Sequence, residues 1–174
     1  MKIVFSILLV CAFTGILLCA CSTSAKVDNS TVERLDLEKY LGQWYELARF
    51  DHSFERGMDK GIATYPMKPD GTIRVLNQGI RKGKVKVSEG KAKVTSTPGL
   101  LRVSFWGPFY SDYRVMMIDP DYRYALVGSG SSKYLWILSR TQFLPESIRQ
   151  SLLTEARRRG YDTSRLLWAD FSKP

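Results

Sequence analysis

LLRVSFWGPFYSDYRVMMIDPDYRYALVGSGSSKYLWILSR, residues Leu100 to Arg140, decides the fold. Runs rich in β-branched and aromatic residues (LLRVSFW, YRVMMID, YALVGSG, YLWILSR) alternate with breaks that carry Gly, Pro, Asp or Ser, namely WGP, DPDYR and GSGSSK. No gap is long enough for a crossover helix, so consecutive strands must pair antiparallel in a meander. The same texture extends upstream through WYELARF, GIATYPM, TIRVLNQGI and KVKVSEGKAKVTS, broken at KPDG and TPG, which brings the count to eight strands. An open sheet of that size would carry two exposed edges, and closure removes them. The predicted architecture is therefore all-β: an eight-stranded antiparallel up-and-down β-barrel. Such a barrel is just wide enough to be filled by side chains or to enclose one small ligand.

Side-chain parity adds detail. In KGKVKVSEGKAKV, Lys82, Lys84 and Lys86 share one face of an alternating strand, whereas Lys91 and Lys93 have the opposite parity. A bulge at Glu89 or Gly90 would restore one charged and one apolar face and bend the strand as closure requires. After Arg140 the period changes. PESIRQSLLTEARRRG places Ile148, Leu152 and Ala156 on one stripe, starts at Pro145 and stops at Gly160, and so predicts one C-terminal amphipathic helix. Its last turn holds Arg157, Arg158 and Arg159, either complementing the helix dipole from solvent or meeting a lipid surface. The final LLWADF is a candidate ninth strand.

A chain of 174 residues accommodates one domain with a substantial core. With 26 Lys and Arg against 17 Asp and Glu, its formal charge of +9 invites a nucleic-acid reading. The N-terminus argues against one, because Lys2 followed by IVFSILLVCAFTGILLCA has the charged and apolar regions of an export signal. The run also approaches the ~20 residues that span a bilayer, so a retained membrane anchor is the alternative. Its end, with Leu18, Ala20 and Cys21 in LLCAC, resembles the lipobox of bacterial lipoproteins. That resemblance implies a diacylglyceryl group on the Cys21 thiol, cleavage before it, acylation of the new amine and, with Ser22 following, sorting to the outer membrane. Several acyl chains make a durable tether where one holds only marginally. Of the three cysteines, Cys11 and Cys19 lie within the signal, so Cys21 alone would remain and no internal disulfide could form. Loss of Lys2 leaves 25 basic against 17 acidic residues, or +8, which in an envelope protein suits anionic lipid better than nucleic acid. The expected organisation is a lipoprotein signal peptide at 1–20, a lipidated N-terminus and polar tether at 21–35, and the barrel domain at 36–174.

Three short motifs carry a more specific likeness. GQW at Gly42–Trp44, SDY at Ser111–Tyr113 and SRT at Ser139–Thr141 resemble, in order and spacing, the signatures of the lipocalin family. The longer stretches YLGQWYELARFDHSFERG, VSFWGPFYSDY and YLWILSRT are similar more narrowly to the bacterial outer-membrane lipocalins, relatives of apolipoprotein D. The resemblance implies that Trp44 closes one end of the barrel beneath Arg140, and makes Gly42, Asp112 and Tyr113 structural motif residues beside them. A guanidinium over an indole face contributes ~1–2 kcal/mol when sheltered from water. Its donors can also tie down carbonyls of the incoming chain, and Gly42 would leave the backbone room to pass the ring.

Alternation from these anchors proposes a lining. Trp136 and Leu138 share the face of Arg140, Tyr113 brings Val115 and Met117, and Trp44 brings Glu46, Ala48 and Phe50. The expected ligand-binding residues are Phe50, Tyr113, Val115, Met117, Trp136 and Leu138. They would form a wall suited to an acyl chain, with tyrosine hydroxyl for a polar head. The same side chains serve equally well as packed core. Glu46 is the exception, since an inward carboxylate needs a basic neighbour, a hydrated cavity, or a break in the alternation.

Chemistry is sparse. His52 is the sole histidine, no thiol remains free after lipidation, and Gly-x-Ser-x-Gly, His-Glu-x-x-His and phosphate-cradling glycine loops do not occur. No catalytic residue, metal ligand or cofactor is predicted. His52 reads as a surface or loop-stabilising residue, Asp119 and Asp121 flank Pro120 as a turn, and Phe54–Gly57 belongs to the bacterial resemblance without a mechanism of its own. The predicted function is binding, storage or transport of a small hydrophobic or amphiphilic ligand, such as palmitate or another fatty acid or a lysophospholipid, by a barrel lipid-anchored to the outer membrane. A ligand-free structural or interaction barrel is the alternative, and a lipid-processing enzyme a further one. Membrane contact through Cys21 is the expected partnership, with no nucleic acid, and a homodimer is one open state of assembly.

Overall fold

The computed structural model of the chain describes residues 27–173 apart from Phe54. The expected signal peptide, Cys21 and the first part of the tether lie outside the described residues. The strands are β1 (Gly42–Phe50), β2 (Lys60–Tyr65), β3 (Ile73–Arg81), β4 (Lys84–Val94), β5 (Leu100–Trp106), β6 (Phe109–Ile118), β7 (Tyr124–Gly128), β8 (Leu135–Ser139) and β9 (Leu166–Trp168). The short α1 (Leu37–Tyr40) precedes β1, and α2 (Glu146–Arg158) follows β8. From β1 to β8 neighbours pair antiparallel in chain order, and β1 closes the sheet by pairing with β8 on one side and β2 on the other. The predicted eight-stranded barrel is the observed one, with β9 added to the end of β1 that β2 does not reach.

A closed sheet has two faces to satisfy, and each builds its own core. Inside lie Trp44, Tyr65, Val75, Leu101, Val115 and Leu138. Outside, Leu47, Phe50, Met116, Leu126 and Ile137 form an apolar patch that α2 covers with Leu152 and Ala156, two members of the predicted stripe. The helix is thus a lid on the outer wall.

The expected tether is folded from Val27 onward. Asn29 Nδ2 donates to the Ser129 carbonyl at 3.1 Å, Val32 N to Val115 O at 3.0 Å, and Asp36 N to the Tyr122 hydroxyl at 2.7 Å. Residues 27–35 therefore form a strap along the barrel. Arg159 holds it: buried rather than solvated, it donates to the carbonyls of Ser30 and Met116, each at 2.8 Å, and pairs with Glu155 at 2.7 Å. Hydrogen bonds from Arg158 and Arg159 draw the Glu155 carboxyl down to about 2.

The bulge expected at Glu89 or Gly90 is absent. β3 and β4 pair without a shift from Ile73 opposite Ala92 to Arg81 opposite Lys84. The parity conflict is resolved by exposure, because β4 pairs with β5 only from Lys91 onward and Val85 and Val87 are 64% and 54% exposed. A tip wet on both faces has no buried face to define. Gly90 has a different reason, for a Cβ there would lie 2.6 Å from the Ser104 carbonyl oxygen.

Bulges occur instead at two places where alternation was carried straight through. The β1–β8 register shifts between Glu46 and Ala48, and the β6–β7 register between Val115 and Met117. Each extra residue reverses the alternation beyond it. Arg49 consequently stands opposite inward Trp136, while Phe50 turns outward against Tyr161 and beneath the Arg165 guanidinium. Met117 likewise pairs with Leu126 on the outer face. The expected lining roles of Phe50 and Met117 are thereby corrected: both belong to the outer core.

Candidate functional site: floor and mouth of the barrel

One end of the barrel is sealed by charge and ring together. The Arg140 guanidinium carbon lies 3.8 Å from the centre of the Trp44 ring. Its nitrogens donate to the carbonyls of Lys39 at 2.6 Å, Gln43 at 2.7 Å and Leu41 at 2.9 Å, and to that of Tyr122 at 3.2 Å. These are carbonyls of α1, the start of β1 and the β6–β7 turn, so one side chain ties three chain segments across the opening. Trp44 Nε1 donates to Tyr40 O at 2.8 Å. Gly42 adopts φ +89°, and a Cβ there would sit at an ordinary 3.5 Å from Arg140, so the glycine is needed for its backbone conformation rather than to make room for the ring. The neighbouring turn is braced by Asp119, buried and accepting from Arg123 Nε at 2.8 Å.

Above this floor the interior carries a cluster of buried tyrosines. The hydroxyl of Tyr113 lies 2.6 Å from that of Tyr40 and 3.2 Å from that of Tyr65. Burial pushes all three phenols above their ordinary range, so they stay neutral and hydrogen-bonded to one another. Val115 and Leu138 belong to the same interior cluster. Asp112 points the other way, accepting from Arg102 at 3.0 Å and Arg114 at 2.8 Å, and braces β5 to β6.

The other end is open. A cleft of about 310 Å³ is lined by Ser111, Asp112, Ser129, Tyr134 and Trp136, with Gly130 and Ser131. Its volume stands at the small end of the ~300–1,000 Å³ typical of ligand sites. Of the expected lining residues Trp136 alone borders it. Trp136 stacks on Tyr134 with centroids 5.9 Å apart and donates from Nε1 to Glu55 Oε2 at 3.4 Å.

Beside Trp136 the β1–β2 loop folds polar groups into the lumen. Glu46 faces inward, as alternation from Trp44 predicts, and lies over Gly61, where a Cβ would come within 3.1 Å of it. Its compensating base is Arg49, 3.4 Å from Glu46 and 3.5 Å from Glu55, which also donates to the carbonyls of Glu55 and Met58. His52 is buried, with Nε2 2.9 Å from Glu55 and its ring edge-on to Trp136. Burial first, and the charge of Glu55 second, hold the Glu46 carboxyl well above the usual carboxylate range against the pull of Arg49. The arrangement can supply a buried guanidinium, a carboxyl that holds its proton more tightly than usual and serine hydroxyls around an aromatic platform.

Sequence reasoning missed Arg49, Glu55 and the serines of the β7–β8 loop. Arg49 was hidden by the bulge that turns it inward. The Phe54–Gly57 segment offered a signal, since a carboxylate following a histidine at i+3 in a loop after an inward Glu is a natural buried ion cluster.

The comparisons with known proteins agree with the geometry. A family profile described as a lipocalin-like domain matches residues 35–170. Outer membrane lipoprotein Blc of Escherichia coli (strain K12) is 44% identical over 166 residues, covering 92% of this chain and 94% of that one. Temperature-induced lipocalin-1 of Arabidopsis thaliana is 42% identical over 153 residues, covering 81% and 82%. Among solved structures, insecticyanin from the tobacco hornworm Manduca sexta superposes with a TM-score of 0.68 at 21% identity, covering 83% of this chain and 85% of that one. With Trp44 and Arg140 stacked at the closed end and its eight strands wound in the same order as they occur in the chain, this protein belongs to the lipocalin family.

Proposed function

We propose that this lipocalin binds a small amphiphile, a fatty acid or a lysophospholipid, and stores or carries it in the cell envelope while acyl chains on Cys21 hold it to the outer membrane. The family binds small hydrophobic ligands, and relatives that are 44–46% identical are named outer membrane lipoproteins. The observation that carries the reading is the mouth cleft, where half-buried Trp136 meets serines and lies beside buried Arg49 above a sealed floor. An acyl segment against Trp136 and Tyr134 leaves water at ~0.8 kcal/mol per methylene, and a polar head finds donors within the same cleft. Ordering and association costs reduce the gross gain.

The test uses the chain from Ser22, which keeps every described residue and lacks the acylated cysteine. Extraction of the purified protein is expected to release bound lipid, and palmitate or lysophosphatidylcholine to quench tryptophan with one-to-one saturation. Trp136→Ala is expected to abolish the calorimetric heat of binding. Absence of heat and of quenching with every amphiphile would overturn the reading, and hydrolysis of the added lipid would replace it with an enzymatic one.

A further inference from the structure

The geometry points to a second lipid contact: the open end of the barrel is a dock for an anionic phospholipid surface. At this end the β5–β6 turn carries Trp106 and Phe109, 82% and 79% exposed, and the β3–β4 hairpin carries Val85 and Val87. They stand free because the β4–β5 ladder ends at Lys91 opposite Ser104, so beyond that pair the two hairpins are separate fingers. Four large apolar side chains at one rim exceed the scattered exposure normal for a soluble surface.

Charge identifies the occupant. Lys82, Lys84 and Lys86 lie on the same hairpin as Val85 and Val87 and are exposed. Of the nearby acids, Glu89 is held in a two-pronged pair with Arg74 at 2.7 Å and Asp59 accepts the Lys82 backbone N–H at 2.9 Å. Aromatic and aliphatic tips interleaved with ammonium groups suit the headgroup boundary of an anionic membrane, where rings enter the interface and lysines meet phosphate. A protein partner would have to bury those lysines.

The strap agrees with this orientation. Asn29 is bound at Ser129, a residue of the mouth cleft, so the described chain enters on the open side. Seven residues lie between Cys21 and Asn29, so the eight steps from one to the other span at most ~28 Å at ~3.5 Å per residue. If Cys21 is acylated, as the proposed function holds, the tether brings the mouth toward the bilayer. Ligand could then pass between bilayer and cleft without crossing water.

The dock is tested without the anchor and separately from ligand binding. The chain from Ser22 is mixed with vesicles of phosphatidylglycerol and phosphatidylcholine, or of phosphatidylcholine alone, and sedimented. Binding is expected to the anionic vesicles and to weaken with salt. Replacing Lys82, Lys84 and Lys86 together by Gln is expected to lower partitioning by about a hundredfold, and Trp106→Ser with Phe109→Ser by about tenfold or more. Phe143, 73% exposed, lies just after β8 at the closed end, so Phe143→Ser should leave vesicle binding unchanged. All variants should keep their circular dichroism and their titration with monomeric amphiphile, which separates failure of the dock from failure of the ligand site. The proposal is overturned if the chain ignores anionic vesicles, if Phe143→Ser weakens binding as much as the rim variants, or if Trp106→Ser lowers the sedimentation mass, which would assign the patch to a second copy.

Discussion

The two ends of this barrel bury charge in opposite ways. At the floor a single guanidinium meets neutral partners, one indole face and the carbonyls of three chain segments, with no carboxylate in the set. At the mouth a single guanidinium is shared by two carboxylates, beside a histidine. Carbonyls that would otherwise be orphaned gain from Arg140, so the floor is a stabilising clasp. Two acids compete for Arg49 and burial pushes the Glu46 carboxyl above its usual range, so the mouth is a tolerated cost. The difference separates stability from function: the closed end fixes the fold, and the open end holds the groups that fold stability alone would discard.

Breaking the floor should have the largest effect. Arg140→Ala exposes or orphans its four or more carbonyl partners and strips the cover from Trp44, with an expected loss of about 3–5 kcal/mol. Trp44→Ala removes a fully buried ring and its bond to Tyr40 O, with an expected loss of about 3–5 kcal/mol. Urea denaturation read by circular dichroism measures both. Because the two residues touch, the double variant should lose less than the sum. Strict additivity would show that the stacked pair is not a unit and would dissolve the contrast with the mouth.

The floor was also the part most legible in the chain. Trp44 and Arg140 lie at strand ends next to recognisable signatures, and the distance between an anchor and its strand end is too short for alternation to go wrong. The error grows with distance from an anchor. Glu46, two residues from Trp44, was placed correctly inward, whereas Phe50, six residues away, was not, since the extra residue after Glu46 has no compositional mark. Met117 failed for the same reason beyond Val115. Lysine parity predicts a bulge in β4, but both faces of that segment are wet. Periodicity thus reports burial only where one face is buried, and the mouth is where that condition lapses. Helix α2 was legible because its stripe covers a wall of the barrel along its length.

The mouth makes the opposite prediction from the floor, a substitution that stabilises. The Glu46 carboxyl is held above its usual range, so its proton is bound more tightly in the folded chain than in the unfolded one. That contribution is fully present below the unfolded value near ~4.5 and is lost as pH rises through the higher folded value. Glu46→Gln cannot ionise, keeps the shape, and should be more stable than the parent at neutral pH while matching it near the acid end. Denaturation midpoints of the two proteins across that range provide the check. A loss in the variant at neutral pH that vanishes toward the acid end would mean that Glu46 is ionised and satisfied by Arg49, making the mouth a clasp like the floor.

The smallest effect sharpens the comparison at a single backbone angle. Gly42 begins β1 at φ +89° two residues before the ring it serves, and space for a methyl exists 3.5 Å from Arg140. Gly42→Ala should therefore cost only the strain of a left-handed residue, about 1–2 kcal/mol. Arg140 and Trp44 should stay in place, with no new cavity, so the tryptophan emission maximum should not move. If the emission shifts to the red with a loss as large as that of Trp44→Ala, then the methyl displaces the clasp. Gly42 would in that case belong to the floor through space as well as through conformation. Either result depends on Arg140, because its three shortest bonds run to carbonyls on both sides of this glycine.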